Sequence, residues 1–214
     1  MVVYCKAILF DMDGTLVDST DCVEAIWRSW GQRHGIDLGV ILAASHGRRT
    51  ADSLREFASH LDIEREAALL DAEELNYMEG IKAVPGALTL LGSLPMDRWA
   101  VVTSASAALA NLRMTYAGLQ IPKVLVSADD VAQGKPNPAG YLKAASMLGF
   151  MPAECLVIED TAAGVLAGRA AGMQLLAVTT TYPAETLLNA PSVRDFRYVR
   201  ATVSPLGLEI RTEE

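Results

Sequence analysis

The chain opens on an unbroken apolar run at residues 2–10 that stops at Asp11 and Gly14. A run of this length ending in a tight polar loop predicts a buried strand. The period then changes. Val23, Ile26, Trp27 and Trp30 recur at helical spacing, Asp21 with Glu24 offers a capping pair, and Gly35 marks the stop. Further helices are expected over residues 37–44, 51–60 and 63–79, the last acidic and poor in β-branched residues, as a solvated helix is.

From Val84-Pro85-Gly86 onward, apolar segments at 99–103, 124–126, 155–158 and 175–178 alternate with helical patterns near 86–94, 105–117, 138–148 and 161–171. Strands that are apolar on both sides belong to a parallel sheet covered by helices on both faces. The expected fold is α/β, a doubly wound, Rossmann-like parallel sheet with an inserted all-helical cap. Residues 1–16 and 84–214 would form the core and 17–83 the cap, with hinges in the linkers near 14–18 and 80–86. The tail is expected to add edge strands at 196–199 and 206–211.

Composition narrows the function. With 51% hydrophobic and 21% charged residues the chain is ordinary globular protein, which excludes disordered and fibrous classes. Its 214 residues can bury a core without a disulfide or metal staple. Cys5, Cys22 and Cys155 are odd in number and lack ligand spacing, so they read as small buried hydrophobes in a reducing compartment. There is no apolar stretch of about 18 residues, and the N-terminal run lacks the basic start and cleavage site of a signal peptide. A cytoplasmic monomer that touches no membrane is expected. The balance of 18 Lys+Arg against 26 Asp+Glu gives a formal charge of −8, a field that repels nucleic acid. An anionic ligand must therefore be drawn in by a local basic site.

Ligands of an open parallel sheet bind beyond the carboxyl ends of its strands. At those ends stand Asp11-Met12-Asp13-Gly14-Thr15, Ser104 after Thr103, Lys135 within Gly134-Lys135-Pro136, and Glu159-Asp160. Each has an ordinary explanation alone: a solvated loop for Asp11 and Asp13, a helix N-cap for Ser104, a surface lysine, helix-start acids. Together they bring four carboxylates, a hydroxyl and an ammonium to one edge. Such carboxylates repel unless a cation sits among them, and hard oxygen donors without Cys or His point to Mg²⁺. The ammonium and hydroxyl suit a phosphoryl group. Other signals fail. Gly134-Lys135 lacks the upstream glycines of a P-loop, and Gly164, Gly168 and Gly172 read as close packing of a helix on the sheet. His34, His46 and His60 have no ligand spacing.

The segment FDMDGTLVDS at residues 10–19 resembles the first motif of the haloacid dehalogenase-like hydrolases. Val101-Val102-Thr103-Ser104 resembles their second motif, Gly134-Lys135-Pro136 with Pro138 their third, and Ile158-Glu159-Asp160-Thr161 with Gly164 their fourth. Within that superfamily, Ser45-His46-Gly47-Arg48-Arg49-Thr50 and Asp129-Asp130-Val131 resemble the capped sugar phosphatases, which include 2-deoxyglucose-6-phosphate and glycerol-3-phosphate phosphatases. The resemblance implies a Mg²⁺-dependent phosphatase acting on a small phosphorylated metabolite, a sugar or polyol phosphate, through an aspartyl phosphate. Asp11 would be the nucleophile and Asp13 the general acid and base. Ser104 and Lys135 would hold phosphoryl oxygens. Asp11, the Asp13 carbonyl and Asp160 would ligate the metal, with Glu159 direct or through water. His46, Arg48 and Arg49, the densest basic cluster of the cap, are expected over the substrate, Arg48 foremost. Two alternatives stay open: a sugar phosphomutase with the same active site, and a receiver-type signalling domain. The receiver fits poorly, because its phosphorylated Asp follows a later strand and it has no use for a cap.

Overall fold

The computed structural model describes residues 1–213. In chain order its elements are β1 (Val2–Cys5), β2 (Ala7–Phe10), β3 (Val17–Asp18), α1 (Thr20–His34), α2 (Leu38–Ser45), α3 (Thr50–Phe57) and α4 (Ile63–Asn76). There follow β4 (Lys82–Ala83), α5 (Ala87–Gly92), β5 (Trp99–Val102), α6 (Ala107–Tyr116), β6 (Leu125–Val126), α7 (Ala139–Leu148) and β7 (Cys155–Glu159). The chain continues through α8 (Ala162–Ala170), β8 (Gln174–Val178), β9 (Ser192–Val193), β10 (Val199–Ser204) and β11 (Gly207–Thr212).

The main sheet is parallel, in the order β6-β5-β2-β7-β8-β9. Every residue of β2, β5 and β7 is buried, as their unbroken apolar sequences require. The strand period of two sorts them between layers. Ile8 and Phe10 pack with α5 and α6 on one face, whereas Ala7 and Leu9 pack with Tyr141 and Ala144 of α7 and Ala167 of α8 on the other. Phe10 meets Trp99 and Phe196 edge-to-face at 6.2 Å each, in the heart of the first layer. The same apolar cluster continues into the inserted helices through Trp27, Trp30, Ile41, Leu54 and Leu70.

Three expectations are corrected. Residues 2–10 are not one strand: the chain breaks at Lys6, and β1 pairs antiparallel with β11 instead. The burial pattern explains it, because Val2 and Tyr4 are exposed while β2 is wholly buried. The tail strands do not extend the main sheet. They form the β10–β11 hairpin of a separate three-stranded sheet, and Phe196 lies before it as a core side chain; the sixth main-sheet strand is β9, a segment unremarkable in sequence. Finally, Ser19, not Asp21, stands at the N-cap position of α1, and its hydroxyl is used elsewhere. Gly35 does end α1, in the left-handed conformation.

The two expected linkers are tied together. Val17 pairs with Ala83 and Asp18 with Lys82, so β3 and β4 form a short antiparallel ribbon at the base of the helical insert. No helix among the described residues is long and apolar enough to cross a membrane.

Candidate active site

Asp11 follows β2 directly, at the carboxyl edge of the sheet, and its side chain is buried. Lys135 donates from Nζ to Asp11 Oδ1 and to Glu159 Oε1. Oxygens of Asp11, Glu159 and Asp160 lie within 4.8 Å of one another, all three residues buried. The geometry sets three carboxylates against one ammonium. Burial holds the Asp11 carboxyl well above its ordinary range although Lys135 opposes this, with Glu159 and Asp160 adding to the rise. Burial and Glu159 likewise push Asp160 up to about 7. Burial works against the charge on Lys135, but Asp11 and Glu159 more than offset it and keep the ammonium protonated. The excess negative charge on hard oxygens fits a divalent cation.

The carboxylates differ in how their oxygens are engaged. Glu159 Oε1 accepts from Lys135 and from the Tyr141 hydroxyl at 2.7 Å. Its Oε2 accepts from the Asp160 and Thr161 amides at 3.1 and 3.2 Å and from the Thr161 hydroxyl at 3.1 Å. Gly164 makes this crowding possible, since a Cβ there would fall 1.7 Å from Glu159 Oε1. Asp160 is held by Thr15 at 3.0 Å on one oxygen and by Thr181 on the other. Asp13 is more open. Its Oδ1 accepts from the Ser19 hydroxyl at 2.7 Å and from Arg113 Nη1 at 3.0 Å. That bond explains why Ser19 does not cap α1.

The helical insert lies on this edge. Ser104 is not the cap of α6; Ser106 is, accepting from the Leu109 amide. The Ser104 hydroxyl instead donates to the Gly47 carbonyl at 2.9 Å. Asp11, Asp13, Ser104, His46, Gly47 and Arg48 line one cavity of about 90 Å³ together with Asp160 and Thr161. His46 pairs through Nδ1 with the Tyr182 hydroxyl at 2.7 Å, and burial lowers its pKa. Arg48 lines the cavity while Nη1 donates to Glu56. Arg49 turns away: it pairs with Asp52 at 2.6 Å and reaches the Ala132 carbonyl at 3.2 Å, bracing the insert on the core.

Sequence reasoning missed Arg113 and Glu74. The Arg113 side chain, only 3% exposed, reaches from α6 to Asp13 and comes within 3.5 Å of Glu74 on α4. Both line the cavity. The signal was there in the helical period. Arg113 shares one buried stripe with Leu109, Ala110 and Met114, and Glu74 follows Leu70 by one turn. A charged residue on a buried stripe needs a partner or a ligand.

The family model described as haloacid dehalogenase-like hydrolase matches residues 5–172. Hexitol phosphatase A of Escherichia coli is 46% identical over 187 residues, covering 85% of this chain and 86% of that protein. Glycerol-1-phosphate phosphohydrolase 2 of Saccharomyces cerevisiae is 36% identical over 194 residues, covering 85% and 78%. The crystal structure of a hydrolase from Pseudomonas syringae superposes with a TM-score of 0.80 at 27% identity, covering 89% of this chain and 94% of that one. With the motifs brought to one edge and the model spanning most of its length, this chain belongs to the haloacid dehalogenase-like hydrolase family.

Proposed function

We propose that the chain is a phosphatase that hydrolyses small sugar or polyol phosphate monoesters through an aspartyl phosphate on Asp11. The observation that carries this reading is the buried Asp11 carboxylate, held by Lys135 beside Glu159 and Asp160 and roofed by the helical insert. The similarity to hexitol and glycerol-1-phosphate phosphatases supports the substrate class.

In the first step an Asp11 carboxylate oxygen attacks phosphorus, the ester P–O bond breaks, and Asp13 gives its proton to the departing alkoxide. Ser19 and Arg113 both donate to Asp13 Oδ1, which leaves Oδ2 to carry that proton. In the second step Asp13 takes a proton from water as the water oxygen attacks phosphorus, and the bond to Asp11 breaks to release phosphate. Lys135 orients Asp11, and Ser104 exchanges the Gly47 carbonyl for a phosphoryl oxygen. Asp11, Asp160 and the Asp13 carbonyl would hold Mg²⁺. Glu159, its oxygens already engaged by five donors, backs the site indirectly. The cation supplies positive charge to the phosphoryl oxygens and relieves the repulsion among the carboxylates. The helices over residues 17–83 act as a lid on the core, which works as a monomer in the cytoplasm.

A screen of phosphate release from phosphorylated metabolites with Mg²⁺ tests the reading. Turnover of hexitol, glycerol or hexose phosphates is expected. Isomerisation of a hexose 1-phosphate to its 6-phosphate without accumulation of phosphate would replace it with the phosphomutase.

A further inference from the structure

Arg113 is buried to an unusual degree for a residue with unspent hydrogen-bonding capacity. Nη1 donates to Asp13, but Nε and Nη2 are buried and make no hydrogen bond to an oxygen or nitrogen, the weakly accepting Cys22 sulfur being a further polar neighbour of the guanidinium. Nη2 faces Glu74 Oε2 at 3.5 Å, an ion-pair distance beyond a good hydrogen bond. Leaving buried N–H groups unmade is costly, and a bound molecule with oxygen acceptors would complete them. Arg113 and Glu74 line the same cavity as Asp11 and Asp13. Because Arg113 grips the residue that protonates the leaving oxygen, the pair adjoins the space the leaving group occupies.

The chemistry of the pair selects its ligand. Arg113 offers donors and Glu74 an acceptor, so neighbouring hydroxyls, each able to give and to take, match both. Asp13 is neutral while it holds the proton it delivers, so the leaving group faces an ion pair in which Glu74 cancels the Arg113 charge and sets a carboxylate against any anionic substituent. Val23 and Trp27 of α1 add apolar surface to the wall, against which carbon-bound hydrogens of a polyol can lie.

We infer that Arg113 and Glu74 form a hydroxyl-recognition subsite, shared between core and insert, that selects neutral polyol leaving groups over anionic ones. The inference rests on the phosphatase reading and names the side of the substrate that the motifs leave undefined. Since Glu74 comes from α4 and Arg113 from α6, the subsite is complete only when the insert lies on the core.

The test compares kcat/KM for a hexitol 6-phosphate, 2-phosphoglycolate and p-nitrophenyl phosphate in the wild-type enzyme, Glu74→Gln and Arg113→Lys, with thermal melts of each. Glu74→Gln is expected to lower the hexitol phosphate to p-nitrophenyl phosphate ratio by about tenfold, the scale of losing a specific polar contact to a substrate hydroxyl. It should raise the ratio for 2-phosphoglycolate by at least about threefold as the repelling charge is removed. Arg113→Lys keeps the charge but not the fork; any loosening of Asp13 lowers both alkoxide ratios alike, and loss of the subsite should lower the hexitol ratio beyond the 2-phosphoglycolate ratio. Ratios unmoved in both variants, or equal losses on all three substrates, would overturn the subsite while the phosphatase reading stands. A wild-type enzyme that hydrolyses p-nitrophenyl phosphate but no polyol or sugar phosphate would instead overturn that reading, and the subsite with it.

Discussion

The hydroxyl of Ser104 donates to the backbone carbonyl of Gly47 at 2.9 Å, so a residue expected to hold phosphate is engaged by the helical insert. Gly47 can approach this closely for two reasons. Its φ is +74°, a region disfavoured for other residues, and a Cβ would lie 2.3 Å from Thr161 Oγ1. At Gly47 the insert and the catalytic edge therefore meet backbone to side chain. Gly47→Ala should hold the insert away from the core. Expected is a fall in kcat/KM of about tenfold or more with a melting temperature within a few degrees of wild type. Stopped-flow and steady-state kinetics would check it; unchanged kinetics would mean that this contact does not govern closure.

Asp11→Asn should abolish turnover, because an amide is a far poorer nucleophile and leaves Lys135 without one of its two carboxylates. Retention of a tenth of wild-type turnover would remove Asp11 from the nucleophile's place. Asp13→Asn should cripple poor leaving groups most. Its defect should shrink on p-nitrophenyl phosphate, whose leaving group needs little protonation.

Activity should vanish with EDTA and return with Mg²⁺, and Ca²⁺ should restore it poorly. Ca²⁺ accepts more ligands at longer distances, which disturbs the alignment of Asp11 with phosphorus. Direct binding is measurable by calorimetry on Asp160→Asn, which should take up Mg²⁺ more weakly than wild type. Full turnover in metal-free buffer would leave the buried carboxylate cluster without its counter-charge.

Glu74 predicts a pH effect on stability. Burial pushes its carboxyl from an ordinary 4.5 up to about 7 even though Arg113 opposes this, with Asp13 and Asp71 adding to the rise. A raised carboxyl is equally protonated in folded and unfolded chains at low pH, and its contribution is lost as pH climbs through the folded value. Glu74→Gln should therefore match wild type at pH 5 and exceed it at pH 8, by on the order of 1–3 kcal/mol. Urea melts at the two pH values would show it; a difference that is constant with pH would contradict the buried titration.

Much of this molecule could be read from its amino-acid order, because the signals were local. Unbroken apolar segments announced β2, β5 and β7. Helical periodicity announced α1 to α4, and the rule that ligands sit beyond strand ends brought Asp11, Ser104, Lys135, Glu159 and Asp160 to one edge. What escaped depends on partners far away in sequence. Residues 2–10 look uniform, yet β1 and β2 enter different sheets because only β11 can cover the half-exposed first segment. Arg48 and Arg49 are adjacent and chemically alike, but one lines the cavity and the other braces the insert against the core. Arg113 and Glu74 stand 39 positions apart and meet only across the seam between insert and core. Composition and period determined the layers and the catalytic edge, since those follow from each segment's own need to bury apolar surface. The orientation of the insert, and with it the shape of the cavity beneath it, was decided by contacts between segments that no local pattern encodes.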